Sequence, residues 1–184
     1  MSFNLVRANA RTENNDDIHL GRLLLLLLAA NDKETKSING ITKLVKLDFL
    51  LRYPNCLERA LKAEKKNAEL AEVKDYERST IESKMIRFKY GPWDSRYRRW
   101  LSLLNSRGLV MIEIQKKTIF IELTEKGRVI AEKFSTDIAY NDINLRSQLV
   151  IKTFGHMSSS GIKNFIYQVF PELETMKWGE DIQL

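Results

Sequence analysis

The chain holds one cysteine, two histidines, three prolines and eight glycines in 184 residues, and each scarcity closes off a class of proteins. Cys56 by itself forms no intrachain disulfide, and with only His19 and His156 beside it no zinc cluster assembles, so a reducing, cytoplasmic setting is expected. So few glycines and prolines, with 43% hydrophobic and 29% charged residues, argue against a disordered, collagen-like or loop-dominated chain. The longest apolar run, Leu23 to Ala30, has eight residues, six of them consecutive leucines. A membrane-spanning helix needs roughly 20, so the run reads as a buried helix segment and no membrane partner is expected. The opening MSFNLVRANARTENNDD has neither the apolar stretch of a secretory signal nor the acid-poor character of a transit peptide, and residues 1–16 read as a polar arm.

Catalytic chemistry is equally scarce. The glycines are scattered and none joins a Lys-Ser/Thr pair, so no phosphate loop forms. Neither histidine has a nearby nucleophile or metal-ligand spacing, and each reads as a structural or surface histidine. The pairs Asp16/Asp17 and Glu172/Glu174 fall in arm and tail positions, poor places for a low-dielectric acid/base site. The expectation is a protein without enzymatic activity, bound metal or cofactor.

What is present is concentrated charge. Thirty Lys and Arg against 24 Asp and Glu give +6. Between Lys84 and Arg107 there are seven basic residues (Lys84, Arg87, Lys89, Arg96, Arg98, Arg99, Arg107) against one acid, Asp94, so this segment carries the whole excess. A localised excess of this kind points to an anionic partner rather than to solubility in general.

The chain reads as a succession of helices. Asp16 or Asp17 caps a first one running to about Ala30. A second runs from Ile41 to about Tyr53, where Pro54 stops it. There Ile41, Leu44, Val45, Leu47, Phe49 and Leu51 make a broad apolar face and Thr42, Lys43 and Lys46 lie opposite. Asp48 falls inside the apolar face with Arg52 four residues on, which reads as an ion pair that fixes packing; a catalytic carboxylate is the poorer reading. From Pro54 a helix is expected through Cys56, Leu57 and Leu61 into the densely charged LKAEKKNAELAEVKDYERS, weakly buried.

KYGPWDSRYRRWLSLLNSRGLV is the most informative segment. Gly91-Pro92 signals a turn, Asp94 or Ser95 an N-cap, and Tyr97, Trp100, Leu101 and Leu104 recur at helical spacing. Arg98, Arg99, Ser102 and Ser106 take the opposite face. Two β-rich runs, Leu109 to Ile114 and Thr118 to Leu123, joined through Gln115-Lys116-Lys117, read as a β-hairpin, and Thr124 caps the helix that follows. Two more helices, about Asp142 to His156 and Ser160 to Phe170, close the chain. The stripe Ile162, Phe165, Ile166, Val169 and Phe170 fits either core or a subunit interface, and Trp178 either pins the tail or meets a partner.

Helix, turn, basic-faced helix, hairpin and helix is the order of a winged helix. The expected fold class is mainly α with a small β-hairpin: a winged helix-turn-helix core over residues 17–134, a charged helical insertion at about 55–84, and a C-terminal helical extension over 135–184. Lys84, Arg87, Lys89, Arg96, Arg98, Arg99 and Arg107, with Lys116 and Lys117 at the hairpin tip, are candidate contacts to DNA or to another anionic partner. The alternative is that the arginines pair with the acids of Leu57 to Glu82 or with a partner's acidic surface. Tyr90, Trp93, Tyr97, Phe165, Val169, Phe170 and Trp178 are candidate protein-interface residues, since aromatics interleaved with arginine also mark interface hot spots.

The stretches ITKLVKLDFLLRYP, RFKYGPWDSRYRRWLSLLNSRGLV, LTEKGR and FIYQVFPEL resemble the small middle components of bacterial ABC-three-component and Lamassu-type anti-phage systems. That resemblance implies a winged-helix-like, non-enzymatic subunit accompanying an SMC-like ABC ATPase and an effector, often a nuclease. It carries over Arg87, Tyr90, Gly91, Pro92, Trp93, Asp94, Arg96 and Tyr97 as structural or contact positions. A single winged helix, where SMC accessory proteins often have two, is a departure. The expected function is an accessory subunit bridging ATPase and effector nuclease, with double-stranded DNA as a further ligand. A homodimeric winged-helix transcription regulator is the alternative.

Overall fold

The computed structural model describes residues 16–31, 37–79 and 84–183. All of the arm but Asp16 lies outside them, as do residues 80–83 of the expected insertion. The described residues are mainly helical with two small antiparallel sheets. Helix α1 (Asp16–Asn31) opens on two acids that complement the helix dipole and is buried continuously from His19 to Ala30. The leucine run is therefore the centre of the molecule. Strand β1 (Ile38–Asn39) leads through Gly40, whose φ of 97° suits glycine, into α2 (Ile41–Arg52).

Helix α2 is enclosed almost all round, which corrects the expected polar face. Lys43 and Lys46 are buried, Lys43 Nζ donating to the Gly155 carbonyl at 2.6 Å and Lys46 Nζ to the Pro92 carbonyl at 2.8 Å. The cause is packing: α7 (Asn141–Phe154), α8 (Ser159–Val169), α3 (Pro54–Ala63) and β3 (Gly91–Trp93) all contact α2, so its lysines satisfy backbone carbonyls instead of water.

The long charged helix expected after Pro54 is also corrected. It stops at Ala63, continues as a 3₁₀ turn (Ala68–Ala71) and resumes only as α4 (Asp75–Ser79), with Lys65 and Glu72 at positive φ. Beyond Leu61 only Ala71 is buried in this stretch, so no apolar stripe sustains a helix. Arg146 of α7 instead clamps the segment, donating to the Ala71 and Glu72 carbonyls and to the Glu77 carboxylate.

Gly91-Pro92 does not form the turn expected of it. It belongs to β3, which pairs with β2 (Ile86–Phe88) in the register Ile86↔Trp93, Arg87↔Pro92, Phe88↔Gly91, so the turn falls at Lys89-Tyr90. The tail adds to the other edge of β2: Arg87 N–H donates to the Glu180 carbonyl, Gly179 N–H to Arg87 and Ile182 N–H to Met85, at 2.7–2.8 Å.

Helix α5 (Tyr97–Ser106) is followed by the expected hairpin, β4 (Val110–Gln115) and β5 (Thr118–Leu123), turning at Lys116-Lys117. β1 joins β5 through Ile38↔Ile121, giving the order β1-β5-β4. Helix α6 (Glu125–Ser135) is capped by Thr124, whose hydroxyl accepts from Gly127 N–H and donates to the Gly108 carbonyl. The α8 stripe packs into the core, and a short α9 (Glu172–Thr175) leads to the tail. Among the described residues no helix is long and apolar enough to cross a membrane.

Candidate nucleic-acid and partner interface

Helix α5 divides as its periodicity requires. Tyr97, Trp100, Leu101 and Leu104 are buried, while Arg98, Arg99, Ser102 and Ser106 are exposed. A buried polar cluster sets its position. Asp48 of α2 accepts from Arg22 of α1 at 2.6 and 3.2 Å, from Arg52 at 3.1 Å and from the Tyr97 hydroxyl. Burial alone would raise this carboxyl; the Arg22 and Arg52 guanidiniums outweigh it and hold it at about 2. Arg52 reaches on to Asp94 at 2.9 Å and lies over the Tyr97 and Trp100 rings. Asp94, despite burial, is held well below the usual carboxylate range by Arg96 and Arg52. His19 is buried against Trp100 with ring centroids 4.4 Å apart, and His156 is exposed at the end of α7.

The nine candidate cations divide into three groups. Arg87 is buried and spent on the carbonyls of Leu173 and Phe88, so its expected place on an anion-binding surface is corrected: in β2 it is the residue that faces inward. Arg96, Arg99 and Arg107 carry acids from this chain, namely Asp94 at 2.8 Å, Asp16 at 2.5 Å and Asp17 at 3.5 Å. Lys84, Lys89, Arg98, Lys116 and Lys117 are exposed and make no ion pair with a described residue. Among the described residues the partners of these arginines are thus the first turn of α1 and Asp94, and no acid between Leu57 and Ser79 pairs with them; Glu82 lies outside the described residues. Two acids of that stretch pair elsewhere, Glu58 with Lys62 and Arg78, and Glu77 with Arg146. Sequence reasoning missed Asp16 in this role. The signal that fits it is the exposed polar side of α5 beside a helix that opens on two acids.

The interface candidates divide too. Tyr97 and Phe170 are fully enclosed, and Phe165 and Val169 are buried, so these four serve this chain's own core. Tyr90 and Trp178 are exposed and Trp93 is half-buried. Trp178, Phe88, Trp93, Tyr97 and Trp100 form a continuous row of rings from surface to core, with successive centroids 5.2–6.3 Å apart. Phe88 and the buried Lys46 escaped the sequence reading.

Among the described residues no group of three or more His, Cys, Asp or Glu is placed to hold a metal. Cys56 is buried, and burial pushes its thiol up, away from the reactive thiolate. No protein-family model, curated protein or solved structure matches this chain.

Proposed function

We propose that this chain is a non-catalytic winged-helix accessory subunit of a bacterial anti-phage complex, bridging an SMC-like ABC ATPase and an effector nuclease, with duplex DNA as a ligand of α5 and the β4–β5 tip. The observation that carries this reading is the element order. Helix α1, strand β1, helix α2, helix α5 and the β4–β5 hairpin follow one another, with β1 added to β5 and residues 54–96 inserted between α2 and α5. Read as a winged helix, that order would make α5 the recognition helix and the β4–β5 hairpin the wing, and both bear cations that make no ion pair with a described residue, Arg98 on one and Lys116 and Lys117 on the other. The edge strand β4 adds exposed Met111 and Ile114, an aliphatic edge suited to a protein partner. The sequence resemblance supplies the identity of the partners.

Co-expression with the products of adjacent genes tests the proposal: an ATPase with long coiled coils is expected to co-purify with this chain. A specific observation favours one other reading, a homodimeric regulator, because Arg98, Lys116 and Lys117 are open to phosphate. Recovery as a free homodimer with an operator footprint that Arg98→Glu abolishes would replace the subunit proposal.

A further inference from the structure

The outer face of the β2–β3 ribbon is not used by either reading. By register Ile86, Phe88 and Trp93 share one side, and Arg87 and Pro92 point inward. Trp178 stands beside them on the turn from Lys177 to Glu180, held by Gly179 N–H donating to the Arg87 carbonyl. Phe88 lies between the other two rings, 6.3 Å from Trp93 and 6.0 Å from Trp178. Phe88, Tyr90 and Trp178 are 44%, 51% and 66% exposed, and among the described residues every large apolar residue exposed on this ribbon and tail is aromatic.

Three lysines stand around this face beside two exposed acids, Glu180 and Asp181, the latter paired opposite Ile86. Lys84, Lys89 and Lys177 are exposed without an ion pair to a described residue, and Lys89 Nζ sits 5.4 Å from the Tyr90 ring. Of the tail acids Glu180 and Asp181, Glu180 turns its carboxylate onto the Lys177 amide at 2.8 Å.

We infer that this face is a binding site for single-stranded nucleic acid, with unpaired bases stacking on Trp178, Phe88 and Tyr90 and the backbone phosphates meeting Lys84, Lys89 and Lys177. Rings fixed on a paired ribbon offer stacking surface at little entropic cost, and π-faces flanked by lysines suit bases and phosphates in alternation. A duplex, whose bases already stack on one another, gains nothing from the rings. A protein partner docking by aliphatic side chains finds none exposed among the described residues of this ribbon and tail. The inference goes beyond the subunit reading and needs only this chain.

The test is fluorescence anisotropy of the full chain with labelled oligothymidylate, oligouridylate and a duplex, each of about 12 nucleotides or base pairs. Trp178→Ala is expected to weaken single-strand binding by about ten-fold or more while leaving duplex binding and the melting temperature unchanged. Lys84→Glu with Lys89→Glu should flatten the salt dependence for the single strands. Preference for one oligonucleotide assigns the site to DNA or to RNA. Absence of saturable single-strand binding, or equal loss on the duplex, overturns the inference. So does unaltered affinity in both Trp178→Ala and Phe88→Ala. If Trp178→Ala abolishes capture of the partner subunit while the chain binds no single strand, the face is a protein-docking surface instead.

Discussion

The two hairpins, β4–β5 and β2–β3, are both antiparallel and both expose lysines, but they reach helix α2 in opposite ways. The element ahead of β4–β5, α5, is tied to α2 through Asp48, a carboxylate with donors from three helices: Arg22, Arg52 and Tyr97. The β2–β3 ribbon is tied to α2 through Lys46, an ammonium with one carbonyl acceptor, Pro92, and the like-charged Arg87 acting on it. A buried anion with several donors keeps its charge throughout the neutral range. A buried cation with one neutral acceptor and a cationic neighbour does not, since burial and then Arg87 bring Lys46 down to about 7. One attachment is indifferent to pH near neutrality and the other responds to it.

The largest expected effect comes from removing the anion. Asp48→Ala leaves the buried Arg22 guanidinium without its carboxylate and Arg52 with Asp94 alone, and is expected to cost about 3–5 kcal/mol in urea denaturation. The attachment of α5, and with it the β4–β5 hairpin, is what this variant loses, because α1, α2 and α5 meet at this carboxylate, while the Lys46–Pro92 tie of the β2–β3 ribbon stays in place. Its folded pKa lies below the unfolded value, so its contribution is present above about pH 4 and fades as pH falls towards 2. Wild type should lose stability through that acid window and the variant should not, over and above the slope they share.

A smaller effect separates the hairpins. A Cβ on Gly127 would lie 1.8 Å from the Leu109 carbonyl oxygen, a backbone atom at the base of β4. Gly127→Ala should therefore force α6 away from the β4–β5 hairpin at a cost of about 1–3 kcal/mol. Hydrogen exchange should speed up at Val110 to Leu123 and stay unchanged at Ile86 to Trp93. Equal loosening of both hairpins would show that they are not independent attachments.

The two hairpins also differ in how far the sequence discloses them. Alternating apolar residues around Gln115-Lys116-Lys117 mark β4–β5, and the same local rules place α1, α2, α5 and the capped α6. The pairing of Asp48 was legible too, as a carboxylate inside an apolar face with Arg52 one turn on. The β2–β3 ribbon was not, because strands of three residues set no periodicity and Gly91-Pro92 has the composition of a turn. Its third partner, the stretch from Gly179 to Ile182, is remote in sequence. Without the register, nothing local says that Arg87 faces in while Phe88 faces out. Lys46 was misplaced for a related reason: residue type assigns lysine to solvent, and only the packing of four elements on α2 encloses it. For the candidate surface, the wheel of α5 shows which arginines are exposed, but not that Arg99 and Arg107 already hold acids of α1.

The smallest effect is a slope. Between about pH 7 and 10 the unfolded chain carries the Lys46 proton and the folded chain releases it, so more protons are bound when unfolded and stability rises with pH. The contribution approaches about 1.4 kcal/mol per pH unit in that window. Cys56, whose thiol is pushed up by burial, works in the opposite direction at the upper end, as does Tyr53, which burial also raises. Lys46→Met leaves both in place, so the difference between wild type and variant isolates the lysine. Wild type should gain on the variant steadily as pH rises from 7 to 9. A difference that stays flat means that Lys46 keeps its proton when folded, and then the β2–β3 ribbon is held as firmly charged as its counterpart.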